Sequence, residues 1–348
     1  MKKVRLTAVR ALLCLLALCV VAGPAAAKTA IRINAASNPK ASPDTPTIHW
    51  YQKFAELMKE KAGDDADVKI YWDNQLAKTY PDGINGTQNQ TLQMCNIPAA
   101  SLAEFSKAMI PLNGLYVVPF PHNQIARNAF AGELGEKIRA QVIQDTGLRI
   151  VSFWDYGFRY ILTAKKPVTK VEDLKGMKFR CQPNPVQLEA FRAYGANPTP
   201  ITYAELFTSL QQGVIDGTEN PLVNVYMSRL YEVTRYFTKT GHILEFNVCL
   251  VNEDWYRKLP ENIRKAFDES VAEADVAFNE QFDRAESNFM KVVEEKKMEI
   301  FDVAPEDAAK FVEIGRAASR GEIIKQVGEE YYNYFMGELE KAEKALLK

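Results

Sequence analysis

The sequence is poor in the residues that most often build a catalytic or metal centre. It contains only three histidines, His49, His122 and His242, and none of them has metal-ligand spacing such as H-E-x-x-H. It also lacks a Gly-x-Ser-x-Gly nucleophile motif and a glycine-rich phosphate loop. No paired groups are left to which a catalytic task could be assigned. We therefore expect no enzyme, no metal ion and no cofactor.

Cysteine is scarce after the N-terminal segment. Beyond residue 27 the sequence holds only Cys95, Cys181 and Cys249, and none of these belongs to a C-x-x-C pair. Three cysteines cannot form a disulfide framework, which argues against a small disulfide-stabilised domain. We expect buried or half-buried free thiols.

Only the N-terminus carries a long apolar run. Four basic residues fall within the first ten, and an apolar stretch follows over residues 11–23, which is too short for a stable membrane span. Three alanines then occupy residues 25–27. This layout predicts a secretory signal peptide over residues 1–27, cleaved after Ala27, and a soluble protein in the periplasm. An uncleaved membrane anchor is the alternative.

The charge balance is close to neutral. The chain has a net charge of −1, and removal of the four basic residues of the N-terminal segment leaves −5. A mildly acidic protein is not typical of nucleic-acid binding, so we expect no nucleic-acid partner. Residues 28–348 are also more than one compact core usually holds, which favours two lobes.

Segments with strand and helix periodicity alternate along the chain. The first four are a strand at 30–35, a helix at 47–61, a strand at 66–72 and a short helix at 87–94. This order predicts an α/β fold with helices covering a sheet. Further strands are expected at 147–153, 159–163, 176–180, 214–217, 243–251 and 300–303, with helices at 186–194 and 202–212 and final helices up to Leu346.

One segment, residues 261–297, contains neither glycine nor proline. Apolar residues recur in it near the helical period, so it predicts a single helix of about 55 Å. That length exceeds one lobe, and we expect the helix, kinked or straight, to lie across both lobes. Phe267, Phe278, Phe282 and Phe289 argue against a solvated helix, because exposing them would lose burial energy.

The residues best suited to ligand binding lie between positions 151 and 226. Arg180 ends a predicted strand, and arginine suits a carboxylate because its planar fork makes two parallel hydrogen bonds. Trp154, Tyr156 and Tyr203 could supply flat apolar walls with polar tips. Asn220 offers a donor and an acceptor. Each residue alone could equally be a surface or turn residue, so spacing alone predicts only a two-lobed α/β binding protein.

Three motifs in the same region are more specific. D-L-x-G-x-K-x-R occupies 173–180, G-A-x-P-T-P occupies 195–200, and E-x-x-x-x-L-Q-x-G-x-x-D-G-x-E-N-P occupies 205–221. The segment 171–225 closely resembles the C4-dicarboxylate- and sialic-acid-binding family of TRAP transporter binding proteins, and looser similarity extends over the mature chain. The resemblance implies a two-lobed periplasmic binding protein with hinge strands, a long lobe-bridging helix and closure on the ligand.

The resemblance also implies a division of the chain and a set of site residues. The first lobe would comprise residues 28–155 plus about 246–285, and the second 156–245 plus about 286–348. Arg180 matches the arginine that pairs with the ligand carboxylate, and Arg159 matches a second basic contact. The other candidate contacts are Tyr203 as an aromatic wall, Asn220 as an amide contact, Asn34 as a first-lobe contact, and Trp154, Tyr156, Glu219, Ser101 and Asn96.

The implied function is capture of a small organic anion for delivery to the membrane subunits of a TRAP transporter, with the binding protein itself a monomer. First-lobe motifs depart from the family: Ala77 replaces the glycine of Q-L-G, and residues 95–101 are unlike the usual pattern. A dicarboxylate, a hydroxy acid, a sugar acid and an organic sulfonate therefore all remain open. A periplasmic enzyme on a similar scaffold and a ligand-sensing partner of a signalling receptor are the alternative functions.

Overall fold

A computed structural model describes residues 28–40 and 42–346. The predicted signal peptide and its cleavage site lie outside the described residues. No helix within the described ranges is both long enough and apolar enough to cross a membrane.

Ten strands are present in the described part of the chain and form one connected sheet with the order β2-β1-β3-β9-β4-β7-β5-β6. Strand β8 pairs with β4 outside this path, and β10 pairs with β8. The strands are β1 Thr29–Asn34, β2 Ala66–Tyr71, β3 Met94–Pro98, β4 Leu148–Thr163, β5 Lys178–Cys181, β6 Asn197–Pro200, β7 Gly217–Pro221, β8 Tyr236–Lys239, β9 Leu244–Asn252 and β10 Glu299–Asp302.

Helices pack against this sheet along its whole width. The α-helices of the described ranges are α1 Pro46–Ala62, α2 Tyr80–Gln88, α3 Ala99–Leu102, α4 Asn123–Ala131, α5 Glu133–Thr146, α6 Pro185–Ala193, α7 Tyr203–Gln211, α8 Leu222–Met227, α9 Glu253–Arg257, α10 Glu261–Glu295, α11 Pro305–Val327 and α12 Glu329–Leu346. Short 3₁₀ helices lie at Gly63–Asp65, Lys107–Asn113, Val171–Leu174 and Leu230–Glu232. The predicted α/β fold is confirmed.

Strand β4 joins two parts of the sheet. The first part contains β1, β2, β3 and β9, and the second contains β5, β6, β7, β8 and β10. The first half of β4 pairs with β9, and its second half pairs with β7 and β8. The prediction of two strands separated by residues 154–157 is wrong, because the chain continues as one strand with an irregular register between Asp155 and Phe158. Gly157 supplies this bend with a φ of +80°, a conformation that glycine adopts without strain, and its N–H donates to the Asp155 carboxylate over 2.8 Å. The lobe boundary proposed near residue 155 stays a prediction.

The long helix α10 runs beside both parts of the sheet, as predicted. Its 35 residues span about 52 Å at 1.5 Å per residue. Near one end Phe267 packs edge-on against Phe54 of α1, and near the other Phe289 stacks on Tyr226 of α8. The phenylalanines of this helix are buried, which explains why a helix so rich in charge docks rather than standing in solvent.

Two local predictions are wrong. The helix expected at 87–94 lies at Tyr80–Gln88, because Thr79 and Asp82 form a capping box with hydrogen bonds of 3.2 Å in both directions. The strand expected at 214–217 begins only at Gly217 and includes the whole Glu219-Asn220-Pro221 stretch. Glu219 is tolerated inside the sheet because its carboxylate accepts from Arg159.

The three cysteines are buried free thiols, in agreement with the sequence-based expectation. Cys95 lies on β3, Cys181 on β5 and Cys249 on β9. Burial raises the pKa of all three thiols, which keeps them protonated and unreactive at neutral pH.

Candidate ligand-binding site

Arg180 lies near the end of β5, between β6 and β7, with 2% of its surface exposed. Its Nε donates to the Ile201 carbonyl over 2.8 Å. Its Nη1 is buried and has no hydrogen-bond partner among the residues that the structure describes. Burial lowers the pKa of this guanidinium. A buried, charged donor without a partner is costly unless something else binds to it.

Arg159 is in the opposite situation, because its guanidinium is surrounded by acceptors. It contacts the Glu219 carboxylate through Nε and, over 2.8 Å, through Nη2, which also donates to the Glu219 carbonyl over 2.7 Å. Its Nη1 donates to Glu245 Oε2 over 2.7 Å. Although burial alone would lower the pKa of Arg159, the two carboxylates raise it above its ordinary value.

Glu219 and Glu245 respond differently to the shared arginine. Burial would raise the pKa of Glu219, but Arg159 and the nearby His242 lower it to about 2. Burial raises the pKa of Glu245 and outweighs the effect of Arg159. We call these three residues and Arg180 the charged cluster, which consists of Arg159, Arg180, Glu219 and Glu245. The charges of Glu219 and Arg159 both act on the pKa of Arg180.

Three tyrosines surround the charged cluster. Tyr203, the first residue of α7, shares a 2.5 Å hydrogen bond with Ser228 and lies within electrostatic reach of Arg180. Tyr156 and Tyr80 lie within reach of both Tyr203 and Glu245. Burial raises the pKa of all three phenols, so each is a neutral hydroxyl that can donate or accept.

Two asparagines present amide groups with spare capacity. Asn220 is buried on β7, where its Nδ2 makes a long, 3.4 Å contact with Thr218. The β5–β7 register pairs Arg180 with Thr218, which puts Arg180 and Asn220 on the same face of the sheet. Asn96 is buried on β3, and its Nδ2 has no hydrogen-bond partner within the described ranges.

The three remaining candidates are Asn34, Trp154 and Ser101. Asn34 is occupied by local hydrogen bonds, since it accepts from the Leu76 and Ala77 N–H groups and donates to the Ala77 carbonyl. Trp154 is buried beneath α10, where it stacks on Phe278 and donates to Asp275 over 3.2 Å. These contacts occupy the amide of Asn34 and the indole N–H of Trp154. Ser101 lies half-buried on the short helix α3.

Several residues around the charged cluster were missed by sequence reasoning. Tyr80 could have been found, because the capping box at Thr79 and Asp82 marks it as the first residue of a helix. Glu245 and its hydrogen-bond partner Gln182 carry no such signal, because they lie far apart along the chain and only the tertiary fold brings them together.

The chain matches a known family over most of its length. The sequence profile described as "Bacterial extracellular solute-binding protein, family 7" matches residues 38–325. A solute-binding protein of Roseobacter denitrificans is 34% identical over 224 residues, covering 64% of this chain and 67% of the relative. The C4-dicarboxylate-binding periplasmic protein of Rhodobacter capsulatus is 30% identical over 235 residues, covering 67% and 69%.

Solved structures share the fold at lower identity. The sugar-acid-binding protein of Advenella mimigardefordensis, solved with galactonate, superposes with a TM-score of 0.83 at 23% identity and covers 90% of this chain and 99% of its own. A TRAP periplasmic binding protein of Desulfovibrio salexigens, solved with orotic acid, gives a TM-score of 0.82 at 24% identity, with coverage of 90% and 100%. The chain therefore belongs to family 7 of the bacterial extracellular solute-binding proteins, and it shares the two-lobed fold of solved TRAP periplasmic solute-binding proteins.

Proposed function

We propose that Arg180 is the anchor for the anionic group of the ligand. The observation that carries the proposal is the buried Nη1, which lacks a hydrogen-bond partner in the described part of the chain. A carboxylate or sulfonate would accept from it and replace the lost hydration of the guanidinium. Arg159 is less suited to bind the anionic group, since Glu219 and Glu245 already neutralise its charge. Its role is to position Glu219 and Glu245.

The neighbouring side chains would complete the site. Asn220 shares a sheet face with Arg180, and Tyr203 and Tyr156 supply apolar walls with hydroxyl tips. Asn96 would contribute from the first lobe through its unsatisfied amide. The bend at Gly157 in β4 would act as a hinge, so that the two lobes close on the ligand.

The wider biological role follows from the family. We propose that the chain is exported and cleaved after Ala27, works as a monomer, returns its ligand unchanged rather than converting it, and delivers it to TRAP membrane subunits. Relatives are named for C4-dicarboxylates, 2,3-diketo-L-gulonate and ectoine, so carboxylates of several kinds belong in a first screen, together with sulfonates. A thermal-shift screen detects such ligands because a ligand that binds only the folded state stabilises it.

Calorimetric titration of the best ligand into Arg180→Ala tests the anchor. Truncation leaves the buried anion partly unpaired, at a cost of about 2–5 kcal/mol, or roughly 30-fold to several thousand-fold in affinity. Arg180→Lys should recover only part of this, because an ammonium cannot reproduce the planar fork. Arg192→Ala is the matched control, since Arg192 is an exposed residue of the same region. Near wild-type affinity of a folded Arg180→Ala protein would contradict the assignment.

A further inference from the structure

Six charged side chains are buried in the part of the chain that the structure describes. Two of them, Asp155 and Glu253, pair with partly exposed arginines elsewhere. The other four are the charged cluster of Arg159, Arg180, Glu219 and Glu245. With both carboxylates ionised, the two arginines and two glutamates of the cluster sum to zero charge.

This balance discriminates among the possible ligands. A dicarboxylate entering the cleft would add two negative charges to a buried neutral cluster, and a simple monoanion would add one. Uncompensated charge in a water-poor site is strongly unfavourable. A ligand with one anionic and one cationic group leaves the cluster neutral, and each of its groups can find an opposite charge.

Glu245 is placed to receive the cationic group. It lies on β9 with 5% of its surface exposed, and Tyr80, which lies within its electrostatic reach, is also within reach of Arg180. Arg159 and Gln182 donate to the Glu245 carboxylate. An ionised carboxylate accepts about four hydrogen bonds, so capacity remains for a donor from the ligand.

We propose that Glu245 is a specificity-determining residue that makes the cleft favour a ligand with one anionic and one cationic group over a dicarboxylate. The inference rests on the proposed function, because the anionic group is taken to pair with Arg180. Burial raises the pKa of Glu245, so its ionised form lacks full compensation and gains from a cationic neighbour.

Three probes with the same four-carbon chain separate these charge patterns. We would titrate 4-aminobutyrate, 4-hydroxybutyrate and succinate into the wild-type protein and into E245Q by calorimetry. The wild type should bind 4-aminobutyrate at least about tenfold more tightly than succinate, with 4-hydroxybutyrate between them. In E245Q succinate should gain affinity and 4-aminobutyrate should lose it, which changes their ratio by about tenfold or more.

The matched control is E253Q, which neutralises a buried glutamate on α9 that pairs with Arg149. E253Q should leave the ratio of the affinities for 4-aminobutyrate and succinate unchanged. A general loss of structure would instead lower the affinities for all three probes together. The proposal is overturned if E245Q binds succinate no more tightly than the wild type, including the case in which neither binds it. If E245Q does not fold, equal or tighter binding of succinate than of 4-aminobutyrate by the wild type overturns it.

The Arg180→Ala protein distinguishes this proposal from the anchor assignment. If Arg180→Ala weakens all the probes that bind while E245Q leaves their ratio unchanged, Arg180 remains the anchor and the role of Glu245 is wrong. If Arg180→Ala changes no affinity but E245Q changes the ratio, the anchor assignment has failed on its own.

Discussion

Replacing Arg159 by methionine should strongly destabilise the fold even in the absence of ligand. Arg159 is 0% exposed, and its guanidinium holds two buried carboxylates, those of Glu219 and Glu245. Methionine fills much of the same volume without the charge, so the variant leaves both carboxylates without their cation. Breaking a buried ion pair from one side costs about 3–5 kcal/mol, because the remaining charge is desolvated and unpaired.

The pH dependence gives an independent measure of the same interaction. In the wild type the pKa of Glu219 is lowered from 4.5 to about 2, which corresponds to about 3 kcal/mol of stability. Because the folded pKa lies below the unfolded one, this contribution is present above pH 4.5 and is lost as the pH falls towards 2. In Arg159→Met burial should instead raise the pKa of Glu219, so the stability deficit should shrink as the pH falls from 7 to 5.

Urea unfolding followed by tryptophan fluorescence at pH 7 and pH 5 measures both effects. Arg192→Met is the matched control, since Arg192 forms an exposed pair with Glu189 and should cost less than about 1 kcal/mol. A triple variant, Arg159→Met with Glu219→Gln and Glu245→Gln, should recover part of the loss by removing the unpaired charges. If Arg159→Met costs no more than Arg192→Met, the reasoning about the charged cluster is refuted.

Three further predictions concern the hinge and α10. Asp275 accepts from two indole N–H groups and Ser152, and burial raises its pKa to about 6. Since this folded pKa exceeds the ordinary value of 3.8, the ionised form of Asp275 destabilises the fold above pH 6. Urea unfolding should therefore show Asp275→Asn to be at least as stable as the wild type at pH 8. This advantage in the free energy of unfolding should shrink between pH 6 and 4. Gly157→Ala places a Cβ 3.1 Å from Glu286 and Phe282 at a position with a positive φ, so it should lower the free energy of unfolding by about 1–3 kcal/mol. Gly213→Ala should cost less, because a Cβ there meets nothing within 4 Å. Equal shifts in the melting temperature of the two variants would contradict this. Small-angle scattering should give a smaller radius of gyration with saturating ligand, and no change would count against lobe closure.

The second part of the fold was the more predictable from sequence. Its motifs lie within single elements: Arg180 falls on β5, Asn220 on β7, and the Thr202 N–H does bond to the Glu205 carboxylate at the start of α7. Local interactions of this kind are encoded by spacing along the chain. The long helix α10 was predictable for the same reason, since 35 residues without glycine or proline leave few alternatives.

The first part of the fold was less predictable, because its residues meet through contacts between segments that lie far apart along the chain. The sequence pattern predicts no element between residues 101 and 146, where two helices and a 3₁₀ segment occur. Asn34 matched a ligand contact by its position, but the backbone of residues 76 and 77 takes up its amide. Glu245 lies 86 residues from Arg159, and only the pairing of β4 with β9 brings them together.

Arg159 and Arg180 show why residue type alone could not assign the anchor. Both are buried arginines near one another, and the family resemblance implied a ligand contact for each. Glu219 separates their roles, because it binds Arg159 and its pKa of about 2 keeps it ionised at neutral pH. Arg159 is therefore satisfied before ligand arrives, whereas Arg180 donates through Nε to the Ile201 carbonyl and its Nη1 has no partner among the described residues. A cation that protein carboxylates already neutralise gains little from a ligand, so anion affinity should depend on Arg180, and the choice among anions on Glu245.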